Sequence, residues 1–292
     1  MVGNSHGGGL RSGLVVLAVA CPLAASWPAR AGSIFLTGHD PDFHAFVGGN
    51  TAGAIDINRT AIGYVTNPTY NPYNVAGAKF LFVESSISPP GGHIDGENGL
   101  IASGYVAGTD YVRVNASGLN AALNQLGTTY DAIVVASDFG GILTQAELNI
   151  LDARSADIIN FLNNGGGLYA MAESDSGAGL TPSGGFFGFL PFVVTSAQLN
   201  QSEVGNTVTP FGISLGLANT DVNGNASHNI FTSASGMNVV DNDSAGHILS
   251  LAVRSQITSG GVVPLPAAAW GGMLLMAGMV AAHFLKRNRR TA

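Results

Sequence analysis

The sequence predicts an α/β protein: an open, mostly parallel sheet with helices on both faces, β-rich C-terminal additions and one C-terminal transmembrane helix. Three observations carry this. Short apolar runs alternate with helix-length segments between residues 33 and 172, a rhythm that calls for crossover connections and parallel strands. Beyond residue 190, short strands and Asn/Gly turns take over. Residues 267–285 are apolar except for His283, and cations follow them directly.

Taken in order, Ser33–Thr37 is the first strand, Lys79–Glu84 the second and Tyr111–Val114 a short third. Ser117 caps a helix through Leu126, which ends at Gly127. Ala132–Ala136 is uninterrupted and apolar, as in a strand covered on both faces. Thr144 and Glu147 form a capping-box pair that opens one long helix, with Leu148, Leu151, Ile158, Ile159 and Leu162 on its apolar stripe. Gly165–Gly167 ends that helix, and Leu168–Ala172 returns as a strand. Phe186, Phe187 and Phe189 in the following loop read as core or lid packing, or as the lining of a groove. Met237–Val240 and His247–Val253, joined by Asp241–Gly246, form a hairpin.

The composition excludes several classes. A chain that is 46% hydrophobic can bury a core, so it is not disordered. Its 41 glycines follow no G-X-Y period, which excludes collagen. The single Cys21 permits neither an internal disulfide framework nor a Cys-based zinc site.

Both ends read as addresses. Residues 1–31 have a cation at Arg11, an apolar stretch from Gly13 to Ala25 and an A-x-A site at Ala29-Arg30-Ala31, the pattern of a signal peptide cut by signal peptidase before Gly32. Leu17–Cys21 offers the alternative of a weak lipobox, with Cys21 lipidated. At the other end, 19 residues from Ala267 to Leu285 rise through about 28 Å as a helix, enough to cross a bilayer core. Lys286, Arg287, Arg289 and Arg290 hold that end in the cytoplasm, so the body faces outward from the inner membrane.

Val263, Pro264, Leu265 and Pro266, followed by Ala267-Ala268-Ala269-Trp270, the apolar span and the basic end, resemble the PEP-CTERM sorting signal of Gram-negative bacteria. Leu265 stands where that signal usually has Glu. The resemblance covers about the last 30 residues. It implies cleavage by an exosortase-type sorting protease and transfer to the cell surface or an exopolysaccharide matrix.

The domain expectation is therefore a signal at 1–31, an extracytoplasmic body at 32–256, and a linker plus sorting signal at 257–292. Residues 32–262 keep five of the 11 cations and all 18 acids, a net charge of −13, which excludes phosphate-backbone binding and hence nucleic acid. The stretches 130–135 and 165–172, with Asn225–Phe231, resemble the class I glutamine amidotransferase-like superfamily and its ThuA-like branch, which implies a flavodoxin-like sheet. That superfamily carries a nucleophilic Cys at a strand-to-helix elbow. Here the position falls on Ala172, with Glu173 or Ser174 beside it, so glutaminase chemistry is excluded.

Polar residues cluster where the parallel strands end. His39, Asp40, Asp42 and His44 follow the first strand, Glu84 the second, Asp138 the 132–136 strand and Glu173 the 168–172 strand, with His93 and His228 in later segments. Such a set can cap helices and close turns, or can hold a divalent metal or a polar ligand. With turnover, Glu173 would be the base to a bound water, His39 or His44 ligands, and His228 a further catalytic candidate. Three functions follow: a non-catalytic surface or matrix protein, an extracytoplasmic metal-assisted hydrolase, or a small-ligand or carbohydrate-binding module.

Overall fold

The structure is a computed structural model, and it describes residues 31–85, 96–137, 143–171, 187–190, 194, 196–225, 227–258 and 261–263. The signal segment, the span at 267–285 and the basic tail lie outside the described residues. No helix among the described residues is long and apolar enough to cross a membrane.

The fold is mixed α/β. Five strands form its parallel part: β1 (Gly32–Thr37), β2 (Lys79–Val83), β3 (Tyr111–Val114), β4 (Tyr130–Val135) and β5 (Gly167–Met171). They lie in the order β3-β2-β4-β5-β1, with every neighbouring pair parallel. All residues of β1, β4 and β5 are buried, as their uninterrupted apolar runs require of strands covered on both faces.

One face is covered by α2 (Thr51–Val65), α3 (Glu97–Ala102) and α7 (Pro210–Leu215), packed on Phe35, Phe80, Phe82, Val134 and Tyr169. The other is covered by α4 (Ala116–Leu123), α5 (Gln145–Ala153) and α6 (Ser155–Asn163), packed on Ile34, Leu36, Leu81, Ile133 and Leu168. α3 and α5, the helices that follow β2 and β4, therefore lie on opposite faces. Between these adjacent strands lies the crevice where open α/β sheets usually take ligands.

The β-rich additions extend the same sheet. β10 (Ile248–Thr258) runs antiparallel to β1, with Leu36 opposite Leu251, and is followed outward by β8 (Ser227–Phe231) and β6 (Ser196–Ser202). β9 (Asn238–Asn242) pairs with β10 and with β7 (Thr207–Val208). β11 (Gly261–Val263) turns back on β10, so Val263 sits opposite Gln256. The folded body thus runs beyond residue 256, and Ile257 is buried in the core.

Three local expectations need correction. Asn115, not Ser117, caps α4: its side-chain oxygen accepts from the Ser117 backbone N–H, and the helix ends at Leu123 rather than Leu126. The long helix after Thr144 is two helices that meet at Arg154, although the capping box itself is present. The apolar stripe continues across this break, so periodicity could not reveal it. Asp241 belongs to β9 and not to the hairpin turn. Phe187 and Phe189 pack in the core, with Phe187 against Phe231; Phe186 lies outside the described residues.

Candidate functional site

At the end of β1 the chain makes a close backbone crossing. Gly38 lies so near β8 that a Cβ there would stand 2.0 Å from the Asn229 carbonyl oxygen, so only glycine fits. This crossing delivers His39 to β8 and β9. Its Nε2 lies 2.7 Å from Asp241 Oδ2 and its Nδ1 2.5 Å from Ser227 Oγ. All three residues are buried, His39 at 1% exposure and the other two at 0%. An ionised carboxylate only accepts, which puts the ring proton on Nε2 and leaves Nδ1 to the serine hydroxyl. The His39 backbone N–H donates to Thr37 Oγ1, which shares a hydrogen bond with Ser250 Oγ.

Serine, imidazole and carboxylate in a hydrogen-bonded chain are the parts of a nucleophilic triad. Two features argue for a structural crosslink. Ser227 exposes no surface to a substrate. Three nearby backbone donors among the described residues are already used: Gly38 N–H on Leu249 O, His39 N–H on Thr37 Oγ1 and Asn229 N–H on Gly38 O, so none of them is open to an oxyanion. As built, the network ties the end of β1 to β8 and β9.

The other strand-end residues have their own partners. Pro41–His44 form a single turn, α1, within which His44 Nε2 meets Asp40 Oδ1 at 3.2 Å. Burial holds the His44 imidazole below its ordinary value. Asp42 is buried beside the end of β4, where its carboxylate accepts from the Ser137 backbone N–H at 2.9 Å and from the Ser137 hydroxyl. Burial pushes this carboxyl up, while the Ser137 hydrogen bonds pull the other way. α3 closes over α1 through Gly99, whose added Cβ would lie 1.8 Å from the Asp42 carbonyl oxygen. Asn58 of α2 donates to Pro41 O and accepts from the Tyr169 hydroxyl. Glu84, fully buried, accepts from the Gly96 and Glu97 backbone N–H groups at the start of α3. Arg113 bridges Glu84 and Glu97, at 3.5 and 2.7 Å. Through these contacts α1 joins the end of β4, and α3 the end of β2.

The structure therefore divides the predicted set. His39 goes to β8 and β9, Asp40 and His44 pair with each other, Asp42 takes Ser137, and Glu84 takes α3 and Arg113. His228 lies within β8. Among the described residues, no three His, Cys, Asp or Glu side chains converge as a metal site. His93, Asp138, Glu173, Pro264, Leu265, Pro266, Lys286, Arg287, Arg289 and Arg290 lie outside the described residues, and Val263 is the last residue of β11.

Sequence reasoning did not single out Asp241 or Ser227. They stand 202 and 188 residues from His39, with no local spacing to link them. Comparison of the chain with protein-family models, with curated proteins and with solved structures finds no match.

Proposed function

We propose that the chain is an exported envelope protein whose body is a non-catalytic, amidotransferase-like domain of flavodoxin-like layout. In this reading an exosortase-type protease sorts it from the inner membrane to the cell surface, where it associates with exopolysaccharide. One observation carries the non-catalytic half. His39, Asp42, Glu84 and Asp241 are all buried and all held by partners within the fold. A general base or nucleophile needs an open side facing its substrate. The lack of any Cys beyond residue 21 points the same way. The export half rests on the sequence alone, on Arg11 and Ala29–Ala31 at one end and Val263–Arg290 at the other.

The sorting half is tested by sequencing the mature N-terminus and following an epitope placed after Ala292, in cells with and without the sorting protease. A start at Gly32 and protease-dependent loss of the epitope are expected. A tail that survives in both strains overturns the sorting reading.

A second reading, an extracytoplasmic hydrolase, has the Ser227–His39–Asp241 chain in its favour. A fluorophosphonate probe separates the two. Labelling of the wild-type chain that disappears in Ser227→Ala would establish a reactive serine and remove the non-catalytic reading. For metal-assisted chemistry, the corresponding result is stoichiometric zinc, iron or manganese that is lost on combining His39→Ala with His44→Ala.

A further inference from the structure

Away from the strand ends, the five cations of the body divide unevenly. Arg113 is matched by Glu84 and Glu97, and Arg154 by Asp157. Lys79 reaches a backbone carbonyl, that of Gly108. Arg59 and Arg254 form no salt bridge among the described residues, yet both line one open pocket of about 430 Å³. Thr60 and Tyr64 of α2, Asn67 just after it, and Ser214 of α7 complete the polar lining.

Arg254 is built to hold its plane. Its guanidinium lies 3.8 Å from the ring centre of Tyr64 and 4.0 Å from that of Tyr70. Nε donates to Ser33 Oγ and Nη2 to the Tyr64 carbonyl, and Nη1 has no acceptor among the described residues. Arg59 is anchored only through Nε, on the Ser103 carbonyl, so its two terminal nitrogens are also without acceptors there.

A half-buried guanidinium has lost part of its hydration. The body carries a net charge of −13, yet no carboxylate among the described residues forms a salt bridge with this guanidinium. A second guanidinium, that of Arg59, lines the same pocket. Planar forks of this kind match carboxylates through paired N–H···O bonds. The pocket falls in the size range of small-molecule sites and is far roomier than a bare oxyanion needs. The hydroxyls and amide around it suit a polyhydroxylated ring better than an apolar one.

The geometry points to a binding site for a hydroxylated carboxylate of hexuronate size, with its carboxylate on Arg59 and Arg254 and its hydroxyls on Thr60, Asn67 and Ser214. This site is separate from the strand ends, and it depends on neither export nor sorting. Retention of the tail, or labelling of Ser227, would therefore leave it standing.

Calorimetric titration of the full-length chain in detergent, with sodium glucuronate, glucose and inorganic phosphate in separate runs, tests it. Glucuronate binding that exceeds that of glucose and phosphate at least tenfold is expected. Arg254→Gln and Arg59→Gln should each weaken glucuronate binding tenfold or more. Arg59 is exposed, so its variant remains informative even if Arg254→Gln fails to fold. Absence of glucuronate binding, equal binding of glucose or phosphate, or unchanged affinity in Arg59→Gln would each overturn the assignment.

Discussion

Replacing His39 by alanine removes the one donor among the described residues that serves the buried Asp241 carboxylate, and the ring nitrogen that meets the Ser227 hydroxyl. Stripping the partner from a buried, hydrogen-bonded charge costs about 3–5 kcal/mol. A buried hydroxyl left unpaired costs a further 1–3 kcal/mol or so. Both groups border the same imidazole-sized hole, where entering water can serve them together, so the two terms overlap and about 4 kcal/mol is expected. With a urea m-value of about 3 kcal/mol/M, the midpoint falls by roughly 1.3 M at unchanged slope. Far-UV circular dichroism is the suitable probe, because both tryptophans, Trp27 and Trp270, lie outside the described body. His247 supplies the control. Its Nδ1 also lies 2.7 Å from a carboxylate, that of Asp243, but its side chain is 46% exposed, so His247→Ala should cost less than about 1 kcal/mol. Adding Asp241→Ala to His39→Ala should recover part of the loss, since the stranded charge is then gone. Equal losses from His39→Ala and His247→Ala would refute the argument that burial sets the cost.

Further outcomes follow from other positions. Asn115→Ala should cost about 1 kcal/mol by uncapping α4, and Ser117→Ala clearly less, in paired urea titrations. Gly99→Ala places a methyl group on the Asp42 carbonyl and should lower the melting temperature sharply or prevent folding; a melting temperature within a few degrees of wild type would show that α3 can move off α1. Burial pushes the Asp131 carboxyl up to about 6. A carboxyl raised in the folded state stabilises fully below its unfolded value near 4 and loses that contribution as pH climbs through 6. Wild type should therefore lose up to about 3 kcal/mol across that window relative to Asp131→Asn, read as the difference between their stability–pH curves.

How much could be read in advance depended on the range of each interaction. β1, β2, β4 and β5 were legible because strands buried on both faces must be uninterrupted apolar runs. The Thr144–Glu147 capping box was legible because its two halves lie three residues apart. α2 was not legible, since Gly53 and Asn58 interrupt its buried face. The insertion of β10 between β1 and β8 is a long-range pairing, and no periodicity encodes it. The same holds for the site. His39 stood out as a residue type after a strand, but its partners come from distant segments. Asp241 had the look of a turn residue among Asp, Asn and Gly neighbours, until its place in β9 showed it beneath the imidazole.

β10 is the last long strand in the sequence, yet it lies in the middle of the sheet, against the first. A chain emerging from its N-terminus leaves one side of Gly32–Thr37 bare until residues near 258 arrive, and β8 has no inner neighbour to join. Closure is thus a final stitch, drawn tight only when nearly the whole body is present. A fragment that stops at His247 lacks the seam that holds its two halves together.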